Sequence, residues 1–160
     1  MFQPRFRMHQ HDPILVVEDE PDAIILLQHA FAKAGIRNPV HTAHDGDHAI
    51  AYLRGEGRYA DRSANPLPHL VLLDLKLPRC SGLEVLEWIR AQPEFRGLPV
   101  VVLTSSKERS DVRRAYVGGA NSYLVKPSSL AGLIELVTAF RDYWLVHNEP
   151  PPAPASTAIA

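Results

Sequence analysis

Three runs of continuous aliphatic residues constrain the fold of this chain more than anything else in it. They are ILVV at Ile14–Val17, LVLL at Leu70–Leu73 and VVVL at Val100–Leu103. Each is strand-length, and none alternates with polar residues. A strand that is apolar on both faces must be covered on both, as in a parallel sheet with helices above and below. Weaker strands are predicted at Val40–Ala43 and Ser122–Val125. Helical patterns fill the intervals. The first starts at Pro21 and is stopped by Gly35; the others cover roughly 47–54, 83–91, 109–117 and 128–146. Five strand–helix units in succession predict an α/β fold, a doubly wound parallel sheet with helices on both faces.

In such sheets ligands bind beyond the carboxyl ends of the strands. The first strand ends in Glu18, Asp19 and Glu20, and the third in Asp74. The fourth ends in Thr104, followed by Ser105 and Ser106, and the fifth in Lys126 and Pro127. Every strong strand thus delivers a charged or reactive group to one edge. Carboxylates brought together repel and call for a cation. An oxygen-only ligand set suits Mg²⁺, which takes one or two carboxylates and keeps waters or phosphate oxygens. A carboxylate can also attack phosphorus and form an aspartyl phosphate. Asp74 as nucleophile, Asp19 on the metal, and Thr104 and Lys126 on the phosphoryl oxygens make one consistent site.

The segments VVEDE, LLDLKLP with Gly82 after it, VVLTSS and GANSYLVKP resemble the signature segments of response-regulator receiver domains, in family order. AHDGDHA at Ala43–Ala49 resembles the family's turn into its second helix. The resemblance covers nearly all of Ile14 to Trp144. It implies a flavodoxin-like five-stranded receiver fold with sheet order 2-1-3-4-5, and phosphorylation of Asp74 by a histidine kinase or a phosphotransfer protein. Glu18 and Asp19 match the acidic pair, with Asp19 on the Mg²⁺ and Glu18 in its outer shell or acting through water. The backbone carbonyl of Lys76 matches the third protein ligand. Thr104, Tyr123 and Lys126 match the switch hydroxyl, the switch aromatic and the site lysine, and Ser105 is a small residue beside the phosphoryl group. A cis bond between Lys126 and Pro127 is implied as well. The chain is then no enzyme toward a separate substrate; it catalyses only its own phosphorylation and dephosphorylation. The long stretch from Gly55 to Pro68 and the ending FRDYWL resemble stand-alone receivers that serve phytochrome-type kinases.

Other residues carry plainer readings. Glu20 is a solvent-facing or helix-start acid. Lys76, two residues after Asp74, and Ser106, two residues after Thr104, stand at positions that vary among receivers and can tune hydrolysis. His41, His44 and His48 lack a recognised metal-ligand spacing and read as solvated imidazoles. Cys80 reads as an unremarkable thiol. A phosphatase of the haloacid-dehalogenase type should read Asp-x-Asp at the nucleophile, where this chain has Lys76. A flavodoxin-like cofactor carrier would have its phosphate repelled by Glu18, Asp19 and Glu20. A degenerate receiver would lack site residues that are all present here.

Composition sets the remaining bounds. Apolar residues make up 46% and charged residues 22%, the mix of a globular protein. A net charge of −1 gives no basic field for nucleic acid or an anionic membrane. A single cysteine excludes a disulfide framework and suits a reducing compartment. No apolar run is long enough to span a bilayer and no signal peptide is visible, so the cytoplasm is the expected location. Residues 1–12 read as a flexible lead-in, 13–147 as the receiver domain without an effector domain, and 148–160 as a disordered Pro/Ala-rich tail.

The last predicted helix, over 128–146, would run about 28 Å at 1.5 Å per residue. Leu130, Leu133, Ile134, Val137 and Trp144 form a stripe that can cover the sheet. Leu136, Phe140 and Tyr143 form a second stripe, expected to be a homodimer interface built on the fourth helix, fifth strand and fifth helix.

Overall fold

The computed structural model describes residues 9–151. Its centre is one parallel sheet of β1 (Ile14–Val17), β2 (Val40–Ala43), β3 (Leu70–Leu73), β4 (Val100–Thr104) and β5 (Ser122–Val125). The strand order is β2-β1-β3-β4-β5, as the family resemblance implied. Register runs straight across the middle, with Ile14 beside both Val40 and Leu70, and Val71 beside Val100. The three aliphatic runs are buried throughout, whereas the edge strands β2 and β5 are mostly half-buried.

Five helices cover the sheet: α1 (Pro21–Lys33), α2 (Gly46–Arg54), α3 (Gly82–Ala91), α4 (Arg109–Val117) and α5 (Leu130–Phe140). On one face Ile14, Val16, Leu70, Leu72, Val101 and Leu103 pack against α1 and α5. On the other, Leu15, Val17, Val71, Leu73 and Val100 pack against α2 and α3. Alternate residues of one strand therefore enter two different cores, which is why the strands read as unbroken apolar runs. Among the described residues no helix is long and apolar enough to cross a membrane.

Local sequence sets the helix ends. Pro21 occupies the first turn of α1, and Gly35 follows its end with φ +75°. Asp45 caps α2 by accepting from the His48 N–H at 2.7 Å, and Gly55 closes it at φ +68°. Ser81 and Glu84 form a capping box on α3. The stretch after α2 is held down by Arg62, which donates to the α2 carbonyls of Tyr52 and Leu53, both at 2.7 Å. The Tyr52 hydroxyl adds a bond to the Pro66 carbonyl.

The C-terminal helix departs from expectation in three ways. Its α-helical part ends at Phe140, and Arg141–His147 continues as a π-helical turn. Phe140 is not on an outer stripe: it is 4% exposed and stacks on Phe31 of α1, centroids 6.3 Å apart. The reason is that α5 packs against α1 as well as the sheet, so its buried face is wider than one stripe. Leu136 is half-buried against the same core, Tyr143 is exposed, and Leu130, expected over the sheet, is exposed as well. The lead-in and tail drawn over 1–12 and 148–160 fall largely outside the described residues. At the described end, Asn38 donates to the carbonyls of His9 and Asp12.

Candidate functional site: an acidic pocket at the carboxyl edge of the sheet

Parallel strands in register bring their carboxyl ends to one edge, and the loops that follow inherit that alignment. The Asp74 N–H donates to the Val17 carbonyl at 3.0 Å, fixing the residue after β3 beside the end of β1. The Lys126 N–H donates to the Thr104 carbonyl at 2.8 Å, doing the same for β5 and β4. Gly82 admits the β3–α3 loop: a Cβ there would lie 2.1 Å from the Asp74 carbonyl oxygen and 2.7 Å from the Leu75 Cα. Only glycine fits that approach.

Carboxylate oxygens of Glu18, Asp19 and Asp74 lie within 4.8 Å of one another. Glu18 and Asp74 are nearly buried, and Asp19 is half-buried. The Lys126 ammonium bonds the Glu18 carboxylate and stands 3.0 Å from Asp74 Oδ2. The Lys76 N–H donates to Asp74 Oδ1 at 3.2 Å. Three carboxylates against one ammonium leave a negative pocket.

The electrostatics follow from this crowding. Burial pushes the Asp74 carboxyl up, but the Lys126 charge and hydrogen bond outweigh it and hold Asp74 below the usual carboxylate value. Glu18 is pushed up to about 7, chiefly by burial, with Lys126 pulling it down and the Asp74 charge adding to the rise. Burial lowers Lys126, yet its two acidic partners leave it raised and firmly protonated.

The predicted residues do not all meet. Glu18, Asp19, Asp74 and Lys126 form the pocket. Thr104 is fully buried at the end of β4, and its Oγ1 has no hydrogen-bond partner. It lies close enough to Asp74 that its hydroxyl helps to keep the Asp74 carboxyl low. Ser105 is exposed. Tyr123 reaches instead into the loop after β4, donating to the Ser106 carbonyl at 2.9 Å. The Lys126–Pro127 bond is a correction: it is trans, as the described residues contain no cis peptide. Lys126 reaches both acids without it, and the trans form is the intrinsically favoured one by about 0.5–1 kcal/mol.

The pairing of Lys126 with Glu18 is not legible in the sequence, which points the lysine only at the phosphoryl group. The histidines are accounted for locally. His48 Nδ1 lies 2.8 Å from Asp45 Oδ2, His41 packs near Tyr52, and the one acidic or histidine cluster suited to a metal among the described residues is Glu18, Asp19 and Asp74. Burial pushes the Cys80 thiol up, with Glu84, Asp47 and Asp45 adding to it, so its thiolate is disfavoured.

The donor set fits a hard divalent cation: all oxygen, anionic and clustered at the mouth of the sheet. A 2-1-3-4-5 sheet whose edge carries an acidic trio, a lysine and a buried hydroxyl defines a receiver of two-component signalling. Residues 14–138 match the response regulator receiver domain family, and the chain belongs to it. Probable methanogenesis regulatory protein FilR2 of Methanothrix harundinacea is 41% identical over 90% of this chain and 92% of its own. The phosphorylated cyanobacterial phytochrome response regulator RcpA superposes with a TM-score of 0.82 at 38% identity, over 89% of this chain and 99% of its own. The Mn(2+)-bound form of response regulator Rcp1 superposes with a TM-score of 0.79 at 35% identity, over 88% and 99%.

Proposed function

We propose that Asp74 is the phospho-acceptor of this receiver, taking a phosphoryl group from a histidine kinase. The observation that carries the reading is the opposition of Asp74 and Lys126 at 3.0 Å inside a cluster of three carboxylates. An Asp74 carboxylate oxygen forms a bond to phosphorus as the bond from phosphorus to the donor's imidazole nitrogen breaks, and that nitrogen keeps the electron pair. Lys126, already protonated, follows the charge from the carboxylate to the phosphoryl oxygens. Thr104 supplies a hydroxyl with no other partner, and the exposed Ser105 leaves room beside it.

Asp19, Asp74 and the Lys76 carbonyl are the residues to hold Mg²⁺, with Glu18 in the outer shell. A bound Mg²⁺ supplies charge neutralisation between the acidic pocket and an anionic donor. The bound Mn(2+) of Rcp1 supports a divalent site, and the low-pKa Asp74 supports ionised ligands. Labelling with radioactive acetyl phosphate tests the assignment. Wild type should take label in Mg²⁺ and lose it in chelator, and Asp74→Asn should take none. Label on that variant at the wild-type level sinks the reading.

The likeness to RcpA supports a phytochrome-type histidine kinase as the donor. Phosphotransfer profiling against such kinases and against unrelated ones tests that choice. For signalling through α4, β5 and α5, with a second copy of the chain docked there, the β5 and α5 part of the face is supported by a groove of about 340 Å³ between β5 and the C-terminal helix. Leu124, Leu136, Tyr143 and Trp144 line it.

A further inference from the structure

The junction between β4 and α4 holds polar contacts that the phosphoryl site does not use. Helix α4 starts without help from its own N-cap residue, because Glu108 makes no side-chain cap bond. Ser106 instead ties the entry to the helix. Its residue is 4% exposed, and its hydroxyl accepts from the Glu108 N–H at 3.3 Å while donating to Asp111 Oδ2 at 2.6 Å. Its carbonyl accepts from the Tyr123 hydroxyl at 2.9 Å. Ser106 is therefore gripped by α4 on one side and by β5 on the other. Thr104, with its buried and unpartnered hydroxyl, stands two residues earlier as the last residue of β4.

These contacts differ in strength. A hydroxyl donating to a carboxylate makes a charge-assisted bond, roughly twice as strong as a neutral one. The Ser106–Asp111 bond is thus the firm anchor of the loop, and the Tyr123 bond is the weaker tie that depends on where the anchor puts the Ser106 carbonyl. A buried hydroxyl without a partner is in turn set to accept one that arrives.

Resting on the reading of Asp74 as phospho-acceptor, we infer that Asp111 is a positioning residue for phosphoryl recognition. By fixing Ser106 it holds the β4–α4 backbone so that the Thr104 hydroxyl faces a phosphoryl group on Asp74, and it couples that placement to Tyr123. Asp111 itself touches neither the acceptor nor the phosphoryl group. Without the anchor, the loop must be ordered at the moment of binding, and affinity falls.

Beryllofluoride with Mg²⁺ serves as the probe, its occupancy read from the ¹⁹F resonance of the bound species. Asp111→Ala should raise the half-saturating concentration about tenfold, the effect of losing one charge-assisted hydrogen bond. Asp111→Asn keeps a neutral acceptor oxygen and should recover part of the loss. Ser106→Ala should cost at least as much as Asp111→Ala, because it also loses the Glu108 contact, and the double variant should be no worse than Ser106→Ala, because the Ser106–Asp111 bond is lost only once. Asp111→Ser replaces the alanine variant if that one does not fold. A change under about threefold in a folded variant, no recovery with Asn, or additive losses in the double variant overturns the inference. Wild type that takes up no beryllofluoride overturns the phospho-acceptor reading, and this one with it.

Discussion

Lys126 Nζ lies 3.0 Å from Asp74 Oδ2, and the same ammonium is bonded to Glu18. One cation from the end of β5 therefore restrains carboxylates from β1 and β3. Removing it leaves two nearly buried acids facing each other. Lys126→Met should destabilise the fold by on the order of 3 kcal/mol in chelator at neutral pH, the scale for breaking a buried pair. Added Mg²⁺ should recover more stability in this variant than in wild type. Urea denaturation with and without the metal measures both, and equal metal responses would contradict the arrangement.

Asp19 belongs to the carboxylate trio, whereas Glu20 is exposed and contributes its backbone N–H to Glu18. Asp19→Asn should therefore weaken binding of Mg²⁺ or Mn²⁺ well beyond Glu20→Gln. A calorimetric titration decides it, and equal losses would mean that the wrong carboxylate holds the ion.

Phe140 and Tyr143 share one stripe in the sequence pattern, and the fold separates them. Phe140→Ala should cost about 3–5 kcal/mol of stability through a cavity against Phe31. Tyr143→Glu, at an exposed position, should leave stability nearly unchanged and shift sedimentation toward monomer. A wild type that stays monomeric at high concentration, with and without beryllofluoride, would remove the proposed dimer.

Tyr52 gives a pH dependence far from the site. Burial, the largest influence, pushes its phenol up to about 12, while Arg62 opposes the rise and Tyr59 adds to it. The folded state thus holds this proton where the unfolded chain has begun to lose it. Stability is full below the unfolded value near 10 and falls as pH rises from about 10 through 12. Denaturation at pH 9 and again at about 11.5 should show a smaller alkaline loss in Tyr52→Phe than in wild type.

Much of this protein is determined by sequence alone. Unbroken aliphatic runs require cover on both faces, so ILVV, LVLL and VVVL dictate central parallel strands and align their ends. That alignment places Asp19, Asp74, Thr104 and Lys126 at one edge before any coordinate is known. Helix starts were nearly as legible, since Pro21 acts within a single turn of chain. Tertiary structure decided what depends on partners distant in sequence. The face of Phe140 was set by Phe31, over a hundred residues away and on a helix that periodicity in α5 cannot sense. Lys126 came to bond Glu18 as well as Asp74 because side-chain reach across two strands is not written in the order of residues. The bond between Ser106 and Asp111 spans only five positions, yet it too needed the structure. A serine near an aspartate in a loop is common, and only packing buries the hydroxyl and leaves that carboxylate to receive its proton.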